Sequence, residues 1–295
     1  MSRALLEWVS CGKHNCKTCK GRHSRHGPYL YYSGNYVGRL KIANPVLEKE
    51  IWSVNVVSPL IKEADPYVLF SGGRDSLVTL HLVSKVAEAF RKRVVAIHVD
   101  TTVSTPGNRE YVEDVCREIG VKLVILQPKR DYFTLVERWG FPTPTRRWCC
   151  YSLKIEPIKD FLNKIQGAKV IFDGIRSEES FKRRGYPIIG FHKHFRCLCC
   201  HTIFTWSSED VKRYIAKNGL RENPLYRFFP RASECWCTAF KTIDQFRALS
   251  LHYPEFFNKL VELESRLKGG GSALYKNGRK VFLKTLISQD LRHKV

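Results

Sequence analysis

Six consecutive residues, Ser71-Gly72-Gly73-Arg74-Asp75-Ser76, follow the apolar run 67–70 and precede a helical pattern. That placement suits an anion cradle. The glycines let the backbone approach phosphate oxygens and aim N–H groups at them. The helix N-terminus adds partial positive charge, and the serine hydroxyls add donors. The Gly-Lys-Ser/Thr ending of a Walker loop is absent, so this cradle is of another kind.

Cysteines are the second set of residues that can do chemistry. There are 11, and ten fall in tight groups. Cys11-x4-Cys16-x2-Cys19, with His23 and His26 close behind, has the spacing of a structural zinc site; Cys11, Cys16, Cys19 and His26 are its expected ligands. Cys149-Cys150 and Cys235-x-Cys237 form two pairs with 84 residues between them, and thiolates suit zinc or iron–sulfur alike. Cys197, Cys199, Cys200 and His201 read as further ligands or thiols that join either site or make a third. Clustering of this kind in a reducing compartment indicates metal binding or catalysis rather than a disulfide framework. Cys116 stands apart, on an apolar helix face with Tyr111, Val112, Val115 and Ile119, and reads as a core residue.

The elements that must position these residues alternate. Strands are expected at 67–70, 94–99, 121–126 and 169–173, and helices at 75–92, 108–119 and 155–165. Continuous apolar strands between helices predict an α/β fold: a parallel twisted sheet with helices on both faces, and ligands beyond the carboxyl ends of the strands. A short helix over 208–217 has Ser207 as its N-cap, and two more follow at 243–251 and 254–267, the second with Pro254 in its first turn. The chain divides into a small basic Cys/His module at 1–50, a nucleotide-binding domain at 65–240, and C-terminal helices with a basic tail at 241–295. The module holds β-prone pieces at 29–32 and 36–42 around the turn Ser33-Gly34-Asn35. So small a core calls for a staple, here a metal.

Composition narrows the function classes. Apolar residues make up 43% and aromatics 12%, which excludes a disordered chain. No run approaches the ~20 apolar residues of a spanning helix, and residues 1–10 lack the apolar core of a secretion signal; no membrane and a cytoplasmic location are expected. Fifty Lys and Arg against 28 Asp and Glu give a formal charge of +22, which suits a nucleic acid or phosphorylated partner. Residues 8–47 carry seven Lys/Arg and no acid, and residues 272–295 are basic with Asp290 as their one acid.

With these residues in place, a resemblance is evident. Ser-Gly-Gly-x-Asp-Ser after the first strand resembles the PP-loop of the N-type ATP pyrophosphatases. Further motifs resemble the branch named for phosphoadenosine phosphosulfate (PAPS) reductase: His98-Val99-Asp100-Thr101; Arg147-Trp148-Cys149-Cys150 with Lys154 and Pro157; Gly174-Ile175-Arg176 through Ser180; and Trp206, Asp210, Val211, Tyr214 and Asn223-Pro224-Leu225-Tyr226. The resemblance covers roughly residues 65–265. It implies an adenine-nucleotide site in which Ser71, Gly72, Gly73, Arg74, Asp75 and Ser76 hold phosphates. Asp100 would lie near ribose or metal, and Lys154 and Arg176 would bring positive charge to pyrophosphate or an acidic substrate group. ATP with magnesium is the implied cofactor. The cysteine pairs resemble the iron–sulfur signature of cluster-bearing reductases, although Cys-Trp-Cys is one residue shorter than that family's second pair.

Two departures from a reductase shape the functional expectation. Family reductases carry a nucleophilic cysteine near the C-terminus, whereas the last cysteine here is Cys237. Their phosphate loop is also degraded, whereas this one is intact as in members that consume ATP. The leading expectation is an enzyme that adenylates a substrate with pyrophosphate release, for sulfur transfer onto nucleic acid, RNA above all, with a sulfur-donor protein as a second partner. One alternative is a sulfonucleotide reductase using another thiol, such as one of Cys197, Cys199 and Cys200. The other is a nucleic-acid-binding protein with a vestigial nucleotide site.

Overall fold

The structure, a computed structural model, describes residues 45–231, 235–267, 274–276 and 279–286, and the backbone of strands at 5–7, 29–32 and 35–39. Strands β1 (Leu5–Glu7), β2 (Tyr29–Tyr32) and β3 (Asn35–Arg39) form an antiparallel sheet in that order. The expected metal staple falls on Cys11, Cys16, Cys19 and His26, which lie outside the described residues.

Helix α1 (Pro45–Glu63) comes next, where sequence pattern assigned no element. It buries Val57 and Ile61 against the α/β core. Its buried Ser53 donates to the Thr202 carbonyl at 2.8 Å and accepts from the Trp206 indole at 3.0 Å, which pins the helix to the segment after the last strand.

The α/β part runs β4 (Asp65–Leu69), α2 (Arg74–Ala89), β5 (Val95–Val99), α3 (Asn108–Ile119), β6 (Lys122–Leu126) and α4 (Tyr132–Trp139). Then come α5 (Trp148–Cys150), a π turn (Tyr151–Ile155), α6 (Glu156–Leu162), β7 (Lys169–Asp173), α7 (Phe181–Arg184), β8 (Ile189–His192), β9 (Cys197–His201) and α8 (Ser208–Lys217). Ser207 caps α8 as expected: its hydroxyl accepts from the Asp210 N–H while the Asp210 carboxylate accepts from the Ser207 N–H.

Six strands form the central sheet in the order β6-β5-β4-β7-β9-β8. Five are parallel, and β8 runs antiparallel to β9, which corrects the expectation of a wholly parallel sheet. Only residues 193–196 join β8 to β9, and so short a link reverses the chain, whereas a parallel neighbour needs a crossover of about a dozen residues. Helices cover both faces. On one side α1, α2, α3 and α8 enclose Val68, Phe70 and Phe172; on the other, Ile158 and Leu162 of α6 pack on Tyr67, Ile97 and Ile171. Cys116 belongs to the first of these cores, and burial pushes its thiol up to about 12.

Beyond the sheet, α9 (Ile243–His252), α10 (Pro254–Arg266) and the hairpin β10 (Leu274–Lys276)–β11 (Arg279–Val281) close a further core. Phe246, Leu260 and Leu283 meet Tyr132 and Val136 of α4, Cys149, Leu153 and Trp236 there. The C-terminal helices thus share one core with the cysteine-bearing segments. Leu260 is fully buried. Leu260→Ala is expected to lower unfolding stability by about 2–5 kcal/mol, read by urea denaturation, and to raise the alkylation rate of Cys149.

Candidate nucleotide site and thiol cluster

The phosphate loop leaves β4 at the centre of the sheet, where the connections turn outward to β5 on one side and β7 on the other. Such a switch point is where open α/β sheets bind ligands. Gly72 has φ +85°, and a Cβ there would meet the Asn108 side-chain oxygen at 2.5 Å, so only glycine fits. The Ser71 N–H and hydroxyl both lie within hydrogen-bond reach of the Ser76 hydroxyl, which itself donates to the Gly73 carbonyl at 2.9 Å. Two buried asparagines hold the loop from outside. Asn108 donates to the Ser71 carbonyl at 3.2 Å, and Asn223 donates to the Gly72 carbonyl at 3.1 Å and to Asn108 at 2.8 Å.

A cavity of about 400 Å³ opens over the loop. Ser71, Gly73, Asp75 and Ser76 line it, with Arg74, Arg176, Lys212 and Arg231 as its basic side chains. Arg176 donates to Asp75 at 3.0 Å and also meets Glu178 and the Ser208 hydroxyl. Burial raises the Asp75 carboxyl above its ordinary range, and Arg176 opposes that shift. Arg74 is drawn aside: its guanidinium donates to Glu222 at 2.8 Å and lies over the Tyr226 ring at 3.8 Å, while the Tyr226 hydroxyl accepts from the Arg74 N–H. Gly174 backs the site, since a Cβ there would sit 2.7 Å from the Asp75 carbonyl. Magnesium held with a nucleotide needs only one or two carboxylates, because phosphates and water complete its shell; the Asp75 carboxylate fits that requirement.

Sequence reasoning placed Asp100 and Lys154 at this site, and neither lines the cavity. Asp100 ends the β5 segment, accepts from the Thr102 N–H at 2.9 Å and lies 3.7 Å from Arg109. Lys154 stands in the π turn, within electrostatic reach of Cys150 and Cys237. Lys212, Arg231 and Asn108 were missed. Lys212 adjoins the Asp210-Val211 pair already singled out, but nothing in the sequence marks Asn108 as the partner of Asn223.

Cys149, Cys150, Cys235 and Cys237 do come together. They form a chain of hydrogen bonds, Cys150 to Cys149 to Cys237 to Cys235, the last step 3.7 Å between sulfurs. Hydrogen bonding from Cys149 lowers the Cys150 thiol to about 7, and the same bond pushes Cys149 up to about 12. Four sulfurs are a fitting donor set for zinc or iron–sulfur. Among the described residues no group of three or more His, Cys, Asp or Glu is arranged to hold a metal ion.

The last cysteine group is split by strand alternation. Cys197 and Cys199 face the α6 side, whereas Cys200 faces the α2 side. His201 is engaged by Asp173 at 2.7 Å. These four do not form one ligand set.

The sequence profile of the phosphoadenosine phosphosulfate reductase domain matches residues 65–231, more than half of the chain. The chain belongs to that family. An uncharacterized protein of Methanocaldococcus jannaschii is 32% identical over 201 residues, covering 67% of this chain and 47% of its own length. Adenosine 5'-phosphosulfate reductase of Mycolicibacterium smegmatis is 30% identical over 179 residues, 59% of this chain and 71% of that enzyme. This chain spans less than half the length of two such archaeal relatives. Among solved structures, PAPS reductase from Candida auris in a phosphate complex aligns with a TM-score of 0.45 and 21% identity over 63% of this chain and 93% of that one. Candida glabrata FMN adenylyltransferase with FAD and inorganic pyrophosphate aligns at 0.47 and 14%, over 64% and 66%. Also, among the described residues no helix is long and apolar enough to cross a membrane.

The profile of the PAPS reductase domain family ends at Arg231, so Cys235 and Cys237 lie just outside it while Cys149 and Cys150 lie inside. Two outcomes follow from the geometry. Gly174→Ala is expected to push the Asp75 backbone out of place and weaken nucleotide binding at least tenfold by calorimetry, with the circular dichroism spectrum retained. In metal-free protein, iodoacetamide is expected to modify Cys150 with a midpoint near pH 7, because only the thiolate reacts and its fraction rises with pH, while Cys149 stays unlabelled. Peptide mass spectrometry after pulses at pH 6 and 8 reads the difference.

Proposed function

We propose that this chain binds ATP over residues 71–76 and adenylates an oxygen of an acceptor, releasing pyrophosphate. The observation that carries the reading is the cavity: an intact Ser-Gly-Gly-Arg-Asp-Ser loop faces Arg176, Lys212 and Arg231, and among the described residues no cysteine lines the space. Fixed cations and loop N–H groups stabilise charge that grows on a leaving pyrophosphate. The acceptor oxygen attacks the α-phosphorus, the bond to the β-phosphate oxygen breaks, and pyrophosphate leaves with the electron pair. Magnesium bound with the triphosphate adds neutralising charge. Within this reading Asp75 orients Arg176, and the asparagine pair keeps the loop from collapsing when it is empty. The +22 charge supports a nucleic acid acceptor, RNA above all, with sulfur as the group that later displaces AMP.

A second reading is reduction of a sulfonucleotide, which the names of the adenosine 5'-phosphosulfate reductases among the relatives favour. It requires a thiolate beside the bound nucleotide. The two readings separate in one experiment. Protein incubated with ATP and bulk tRNA is expected to release pyrophosphate, and Arg176→Ala to cut that release by about tenfold or more, as loss of a charge-assisted contact would. Sulfite formed from adenosine 5'-phosphosulfate and thioredoxin, with no pyrophosphate from ATP, would replace the first reading by the second.

A further inference from the structure

Residues 180–208 contain five Lys/Arg and three His but no Asp or Glu. This stretch also holds the two most exposed phenylalanine side chains among the described residues: Phe181 is 88% exposed and Phe191 65%. Neither adds to a core. Ile189 and Leu198 are also exposed, and Phe191 is the cross-strand partner of Leu198, so their side chains stand together on one face of the sheet. β8 is the edge strand, with Lys193, His194 and Arg196 exposed at its far end. Lys182 and Arg184 are exposed beside Phe181 on α7.

The strip begins at the nucleotide cavity. Glu179 lines that cavity and is ion-paired to Arg183 of α7, whose charge also reaches Asp75. The Tyr186 and His201 rings lie 6.0 Å apart between centroids, and His201 sits opposite Asp173, three residues before Arg176. Ile189 pairs with Cys200 near that end, and β8 then runs away from it, placing Phe191 about 7 Å further out.

Resting on the reading of RNA as acceptor, we propose that the strip from Phe181 to Leu198 is a docking platform for unpaired nucleobases of that RNA. Aromatic faces accept bases of any identity by stacking, and the flanking cations track the phosphates. An apolar protein partner would suit the phenylalanines but not five cations without one acid. The bland account, edge-strand cations that merely guard against aggregation, explains the charges but not two phenylalanines left in water.

Fluorescence anisotropy of the full chain with a fluorescein-labelled (rU)12 strand tests this, beside a 12-base-pair RNA duplex. Phe181→Ala and Phe191→Ala are each expected to weaken single-strand affinity by about tenfold, with duplex affinity much less changed. Lys182→Gln with Arg184→Gln should flatten the log–log salt slope by about 1.4, the contribution of two phosphate contacts on a single strand. ATP affinity by calorimetry should be unchanged in each of these variants and in Phe181→Ala combined with Phe191→Ala. Single-strand binding unaltered in the double phenylalanine variant, or no RNA binding by the wild-type chain, overturns the platform while ATP-dependent pyrophosphate release can still stand. Stacking losses as expected with no such release leave the platform and remove the adenylation reading.

Discussion

A buried amide bridge sets the geometry of the site. Asn223 reaches the Gly72 carbonyl and the Asn108 side chain, and Asn108 reaches the Ser71 carbonyl. Three segments far apart in sequence are tied at one point: the phosphate loop, the first residue of α3 and the Asn-Pro-Leu-Tyr turn. Both amides are almost wholly removed from water, so losing either partner would leave buried donors or acceptors unmatched, at about 1–3 kcal/mol each. That penalty keeps Gly72 in its left-handed conformation and holds the loop in one shape.

Charge is arranged around that fixed loop in two tiers. Arg74 is the loop's own cation, and it is pulled back onto Glu222 and the Tyr226 ring. Arg176, from the far side of β7, takes its place against Asp75. A cavity lined by cations brought from different elements holds them apart at low cost only when carboxylates are interleaved, which is the work of Asp75, Glu178 and Glu179.

Much of this was legible in the sequence because it is local. The strand–loop–helix around Ser71–Ser76, the Ser207 cap of α8 and the helix face holding Cys116 each follow from residues within a dozen positions. What was not legible is long-range. α1 escaped because part of what fixes it is remote: Ser53 bonds to the Thr202 carbonyl and the Trp206 indole, about 150 residues on. Lys154 was assigned to the nucleotide by motif, yet the π turn carries it toward the thiols. The direction of β8 depended on the length of one connection, and the meeting of Cys149 with Cys237 on a core built by α9 and α10.

The π turn at Tyr151–Ile155 has a mechanical consequence. An α-helix rotates by about 100° per residue, and a π turn holds one residue more than an α turn. Cys149 before it and Leu153 within it face the C-terminal core; Ile158 and Leu162 after it face the sheet. One residue's worth of phase thus acts as a coupling between two bodies of packing. Removing a single residue there would leave the helix nearly as long and just as helical, but would swing the thiols about a quarter turn away from Cys237.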